Sequence, residues 1–150
     1  MIIPSIDLSQ GRAVQLKQGK EQVLEVDSPI KIAEEFKRFG PLALIDLDAA
    51  RETGDNTELI AEICALAECR VGGGIRSIDK AQRIIELGAS RIIIGTALWE
   101  KGQINHKFLQ QLQAVAGREK IILALDCLDG QVIINGWKKP AGIGLVEAIK

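Results

Sequence analysis

Ile2-Ile3-Pro4-Ser5-Ile6-Asp7-Leu8-Ser9-Gln10-Gly11-Arg12-Ala13-Val14 has a counterpart 119 positions on, Ile121-Ile122-Leu123-Ala124-Leu125-Asp126-Cys127-Leu128-Asp129-Gly130-Gln131-Val132-Ile133. Each is an apolar run ending in a carboxylate, Asp7 or Asp126, followed three residues later by a Gly-marked turn into a second apolar run. Four of the thirteen positions are identical, where background composition gives roughly one. Self-similarity at a fixed period decides the architecture. The competing reading is two unrelated strand-turn units that share a common pattern.

Working outward, strands and helices alternate. Ile2 to Asp7 reads as a strand, and Gly11 and Gly19 bracket a loop hairpin over Arg12 to Lys17. Asp27-Ser28-Pro29 opens a helix whose apolar Ile32, Ala33, Phe36 and Phe39 recur at helical spacing until Gly40. Ala43 to Leu47 is the second parallel strand, ending Asp46-Leu47-Asp48, and Asn56 caps a helix carrying Leu59, Ile60, Ile63, Leu66 and Ala67. Cys69 to Val71 is a strand running into Gly72-Gly73-Gly74, and Ser77 caps a helix that Gly88 closes. Arg91 to Ile94 is the fourth strand and a helix follows from Ile104 to Ala116. Lys120 to Leu125 is the fifth strand, with a hairpin over Asp129 to Trp137 and a helix from Ile143 to Lys150 after it.

Strands separated by helices of ten to thirteen residues imply right-handed parallel crossovers. An open doubly wound sheet puts its glycine fingerprint after the first strand. Here the glycines follow the third and fourth, which favours a closed α/β barrel, the (βα)8 TIM barrel. Such a barrel takes about 250 residues, and twice the 119-residue period is close to that. Residues 1–150 therefore read as a single partial barrel domain, a half-barrel plus the start of the second half, from the first strand to the start of the fifth helix. Strands one and five become edges. The expected consequences are a longer parent chain, self-association of two copies through unpaired strand edges, or marginal stability.

Composition narrows the partners. With 19 basic and 20 acidic residues the net charge is −1, which supplies no field for nucleic acid or an anionic membrane. No apolar run approaches the roughly 20 residues of a membrane span and the N-terminus lacks a signal-peptide pattern, so a cytoplasmic protein is expected. Cys64, Cys69 and Cys127 match no metal or redox spacing and read as reduced packing residues, and His106 reads as a surface residue. No metal site is expected.

In a parallel barrel the chemistry gathers at the C-terminal ends of the strands. Asp7, Asp48, Gly72 to Gly74, Gly95-Thr96 and Asp126 all fall there. Alternation puts Ser5 and Asp7 on one face, and Ala124 and Asp126 on one face. In an eight-stranded barrel strands one and five are opposite, so the two carboxylates face each other across a gap suited to an acid and a base acting on one molecule. The alternative is that each Asp caps the turn after its strand. Asp48 is either a substrate or loop contact or a cap. Gly72-Gly73-Gly74 and Gly95-Thr96 can bring backbone N–H groups to one phosphate, or the glycines simply allow tight turns, with Arg76 adding charge or lying solvated at a helix start. Trp137 suits stacking on a flat ring or packing of its hairpin onto the rim, and Trp99 suits rim packing.

Ile-Pro-Ser-Ile-Asp-Leu at 3–8, Asp46-Leu47-Asp48, Val-Gly-Gly-Gly-Ile-Arg-Ser at 71–77, Ile-Gly-Thr-Ala at 94–97, and Leu125-Asp126 followed by Gly136-Trp137 resemble the sugar isomerases of histidine biosynthesis, the phosphoribosylformimino-5-aminoimidazole carboxamide ribotide isomerase family. The resemblance runs over all 150 residues. It implies an Amadori rearrangement of an aminoaldose to an aminoketose on a sugar phosphate with a phosphate at each end, without metal or redox cofactor. It also implies Asp7 as the base that takes the C2′ proton and Asp126 as the acid that opens the furanose ring. Gly74, Arg76, Gly95 and Thr96 would hold one phosphate and Trp137 would stack near the imidazole. The cyclase subunit of imidazole glycerol phosphate synthase shares the barrel and its glycines, so a cyclase, a paralogue with another sugar phosphate, or a non-catalytic phosphate-binding half-barrel are the alternatives. Two departures stand out: Gln15 occupies a position where the family usually has Arg, and the family's strands six to eight have no counterpart here. Poor turnover by residues 1–150 alone is the expectation.

Overall fold

The structure is a computed structural model that describes residues 2–17, 21–100, 102–134 and 139–149. The chain begins with β1 (Ser5–Ser9), which turns back into an antiparallel pair, β2 (Arg12–Lys17) and β3 (Glu21–Val26). Then come α1 (Pro29–Phe36), β4 (Leu42–Asp46), α2 (Leu47–Arg51), α3 (Thr57–Leu66), β5 (Cys69–Gly72), α4 (Ile78–Glu86) and β6 (Arg91–Ile94). A small ribbon of β7 (Trp99–Glu100) and β8 (Gln103–Ile104) leads to α5 (His106–Ala116) and β9 (Ile121–Leu123). The chain continues through β10 (Asp126–Leu128), β11 (Gln131–Ile134), β12 (Lys139–Gly144) and a single turn, α6 (Leu145–Ala148).

The main sheet runs β3-β2-β1-β4-β5-β6-β9, and its five parallel strands stand in the order in which the chain makes them. A doubly wound sheet would reverse that order at a switch point. Without a reversal every right-handed crossover steps the same way, so the helices collect on one side, as in a TIM barrel. The fold is of that family.

Burial follows from this winding. Ile6, Leu8, Leu42, Leu44, Val71, Ile92 and Ile94 alternate onto the helix side and are all buried, packed with Ala33, Ile60, Ile63, Ile84 and Leu112. The opposite face carries the paired row Asp7, Ile45, Gly72, Ile93, Ile122. Its isoleucines are only half-buried.

Local chemistry explains the helix ends. Pro29 starts α1, Ser77 Oγ accepts from the Lys80 N–H at 3.2 Å, and Asn105 Oδ1 accepts from the Phe108 N–H at 3.0 Å. Four expectations need correction. Asp46-Leu47-Asp48 does not simply end a strand: Asp46 Oδ1 accepts the Ala49 N–H at 3.1 Å and winds the next residues into α2. Asn56 stands at the start of α3 but its side chain does not cap it. Phe39 is 52% exposed, because α1 gives way to a 3₁₀ turn at Lys37, and its ring lies 4.8 Å under the Arg38 guanidinium. The fifth strand stops at Leu123 and the helix expected from Ile143 begins at Leu145, because β12 runs on to Gly144. Among the described residues no helix is long and apolar enough to cross a membrane.

Candidate active site

The two repeat copies build the same hairpin. Gln10 and Gly11 have φ of +51° and +74°, and Asp129 and Gly130 have +49° and +78°, the left-handed pair of a two-residue type I′ turn. The pairings Asp7↔Val14, Leu8↔Ala13 and Ser9↔Arg12 recur as Asp126↔Ile133, Cys127↔Val132 and Leu128↔Gln131. Each pair is displaced by the 119-residue period.

The two carboxylates stand in different surroundings. Asp7 is half-buried and is one of the residues that border an open groove of about 390 Å³, which runs from β1 and the β2–β3 hairpin to Ile32 and Phe36 of α1. Burial pushes its carboxyl above the usual value, partly offset by a hydrogen bond from Ser5. Asp126 is exposed at the start of β10, in a separate three-stranded sheet. The chain reaches it through the Ala124 N–H, which still donates to the Ile94 carbonyl at 2.8 Å.

Asp48 is a loop contact, buried to 8% exposure. Its Oδ1 accepts from Ser9 Oγ at 2.9 Å, and its Oδ2 accepts from the Gln10 N–H at 2.6 Å and Asn56 Nδ2 at 3.0 Å. Burial raises its carboxyl, but the Gln10, Asn56 and Ser9 donors outweigh this and hold it below the usual carboxylate range. Asn56 also donates from Nδ2 to Asp46 Oδ1 at 2.8 Å and accepts the Gly11 N–H at 2.9 Å. Sequence reading missed Asn56 in this role and Asp46 with it. The signal was there: Asp46 shares its strand face with Leu42 and Leu44, so it had to be buried, and a buried carboxylate needs donors.

The glycine loop packs tightly. A Cβ at Gly73 would lie 2.2 Å from the Asp46 carbonyl oxygen and one at Gly74 2.3 Å from that of Ala49, so both glycines let this loop close onto α2. Arg76 completes that contact, donating to the Ala49 and Ala50 carbonyls at 3.2 and 2.7 Å and pairing with Glu52 at 3.2 Å. Gly95 has open space where a side chain would be, and Thr96 is exposed. Trp99 packs against the core cluster. Trp137 lies outside the described residues. His106 is exposed at the first turn of α5. The Cys64 and Cys69 thiols share a hydrogen bond that pulls Cys64 down and pushes Cys69 up, with burial adding to the rise at Cys69.

The family model described as "Histidine biosynthesis protein" matches residues 1–150. The chain belongs to that family. It is similar to a protein of Methanocaldococcus jannaschii, 39% identical over 100% of this chain and 64% of the relative, and to one of Methanopyrus kandleri at 38%, with the same coverage. A protein of Methanosarcina barkeri is 37% identical over 97% of this chain and 62% of its own length. All three are named as imidazole-4-carboxamide isomerases, with two phosphoribosyl groups in the substrate name. The chain spans a little under two thirds of the length of these relatives.

Proposed function

We propose that this chain carries the acid–base pair of a sugar isomerase of histidine biosynthesis, with Asp7 as the base and Asp126 as the acid in an Amadori rearrangement of a bis-phosphorylated ribosyl imidazole carboxamide. The observation that carries the reading is the register of the sheet. The row from Asp7 crosses Ile45, Gly72 and Ile93 and meets β9 at Ile122. In an eight-stranded barrel of shear about 8, half a circuit displaces the register by about four residues. Four residues beyond Ile122 stands Asp126, the partner that the 119-residue repeat selects without reference to pairing. The repeat and the register both support reading Asp126 as the counterpart of Asp7 once the barrel is closed, although in this chain Asp126 stands exposed on its own ribbon.

The chemistry fits the pair. Asp7, with its carboxyl raised by burial, is a stronger base than a solvated aspartate and takes the C2′ proton. Asp126 protonates the ring oxygen so that the furanose opens. Gly95 and Thr96 offer an open backbone edge for one phosphate, Gly74 borders the same end of the sheet, and Arg76 serves by pinning the glycine loop to α2. Trp137 would stack near the imidazole. The relatives' names favour an isomerase over the cyclase reading. We place the protein in the cytoplasm, acting on a small-molecule sugar phosphate.

The test is to titrate the chain with the bis-phosphorylated aminoaldose while following product and the carboxyl carbon signals of Asp7 and Asp126. Turnover is expected to be low, and Asp7→Asn and Asp126→Asn should each reduce it by roughly 10²–10⁴-fold. Turnover that survives Asp7→Asn, or saturating substrate that yields no product and moves neither signal, overturns the reading.

A further inference from the structure

Three polar side chains are buried at the end of β4 and the start of α3: Asp46 at 1% exposure, Asp48 at 8% and Asn56 at 7%. Burying two carboxylates together is costly unless their lone pairs are filled. Here the donors come from two directions. From their own segment, the Ala49 and Asn56 N–H groups and Asn56 Nδ2 serve Asp46. From the first repeat copy, Ser9 Oγ and the Gln10 N–H end on Asp48, and the Gly11 N–H ends on Asn56 Oδ1. Three consecutive residues of one turn are thus each tied to this group. The turn starts two residues after Asp7, and the strand it launches lays Val14 opposite Asp7. Ala13 and Val14 also border the groove that Asp7 borders.

We infer that Asp48 and Asn56 are positioning residues: they clasp the Ser9-Gln10-Gly11 turn and so set how closely the β2–β3 hairpin covers Asp7. The clasp acts through the turn and touches no reacting atom. It deepens the assignment of Asp7 as the base and rests on it for its functional meaning. The second copy supplies the contrast. Among the described residues, no side-chain hydrogen bond is seen at the Asp129-Gly130 turn, which is met instead by backbone: the Leu145 N–H donates to the Gly130 carbonyl at 2.9 Å and Gln131 pairs with Gly144 of β12. The I′ turn therefore forms without a clasp, and the clasp is an addition that serves position. The depressed carboxyl of Asp48 agrees with a group held ionised by these donors.

The experiment is amide exchange and carboxyl titration by NMR on the 150-residue chain. Asp48→Asn is close to isosteric but can present an N–H where Gln10 needs an acceptor. The Gln10 and Gly11 amides should exchange roughly 10–100-fold faster, with the Leu44 and Ile92 amides unchanged. The Asp7 carboxyl should titrate nearer its ordinary value as the hairpin lifts. A side chain that merely adds stability would speed the core amides too and leave the Asp7 titration in place. Ser9→Thr, which keeps the hydroxyl, should stay near the parent in both readouts, and Ser9→Ala should move both in the direction of Asp48→Asn. The Ser9 pair decides the matter if Asp48→Asn does not fold. Unchanged Gln10 and Gly11 exchange, or an unmoved Asp7 titration with those amides released, overturns the clasp. Turnover that survives Asp7→Asn removes the acid–base reading and leaves the amide result standing, so the two failures are told apart.

Discussion

The first and second copies of the repeat share a turn, a register and a terminal carboxylate, yet one is built into the main sheet and the other stands off it. β1 is continuous from Ser5 to Ser9 and pairs with β4 on one side and β2 on the other. In the second copy the chain leaves the sheet after Leu123 and restarts at Asp126 in a ribbon of its own. Position by position, Leu8 is fully buried where Cys127 is half-buried, and Ser9 is clasped where Leu128 is 53% exposed. A thirteen-residue pattern suffices for a hairpin. Whether that hairpin joins a larger sheet depends on what flanks it: β4 and the Asp48–Asn56 group stand beside the first copy, and β9 is an edge of the main sheet.

Function is the point at which the two copies should behave alike, and it carries the largest effect. Asp7→Asn and Asp126→Asn should each cost roughly 10²–10⁴-fold in turnover, read in the isomerisation assay, and a loss confined to Asp7 would break the pairing. Packing is where they should part. Leu8→Ala removes a fully buried side chain and should cost about 2–5 kcal/mol, whereas the corresponding Cys127→Ala should cost under about 1 kcal/mol. Urea unfolding of both variants checks this, and equal losses would mean that the second ribbon packs as tightly as the first.

The turns allow a finer comparison. Gly11→Ala and Gly130→Ala force the same left-handed strain, about 1–2 kcal/mol. Global unfolding should report it for Gly11, whose turn is tied to the sheet, and largely miss it for Gly130, where it appears as faster local amide exchange. The smallest effect concerns charge. Asp7 has its carboxyl raised on folding, so its contribution to stability falls as pH rises from the ordinary carboxylate value through the raised one. Asp7→Asn removes that cost and should raise the melting temperature slightly at neutral pH. Asp126→Asn, at an exposed site, should leave the melting temperature within about 1 °C. Asp48 runs the other way: its contribution is complete above the ordinary value and is lost as pH falls through its depressed one. Acid unfolding of Asp48→Asn should therefore lose part of the steepness seen in the parent below about pH 4.

Much of this was legible in the chain. Alternating strands and helices, Pro29 and Ser77 at helix starts and Gly88 after a helix end are local signals, and those elements formed where they pointed, while Gly40 closed a 3₁₀ turn that follows α1 and not α1 itself. The repeat anticipated both Gly-marked turns because Gly11 and Gly130 supply a left-handed position at no steric cost, while their I′ type is set by Gln10 and Asp129 also taking positive φ. The site was less legible where long-range contacts decide. Arg76 spends its guanidinium on the end of α2, a helix that exists because Asp46 finds the Ala49 N–H. Asn56 looked like a helix cap and is a bridge between two carboxylates and a turn 45 residues away.

By itself, then, the amino-acid order determined most of the elements, their winding and the equivalent positions of Asp7 and Asp126 in the repeat, since periodicity, turn chemistry and an internal repeat act over a few residues or recur at a fixed interval. Only the tertiary structure decided that Asp7 is shielded, that Asp48 and Asn56 hold its turn, and that Asp126 lies open on a separate ribbon. Burial and hydrogen-bond partners come from segments far apart in the chain, and the energy of a charged group is set by those neighbours.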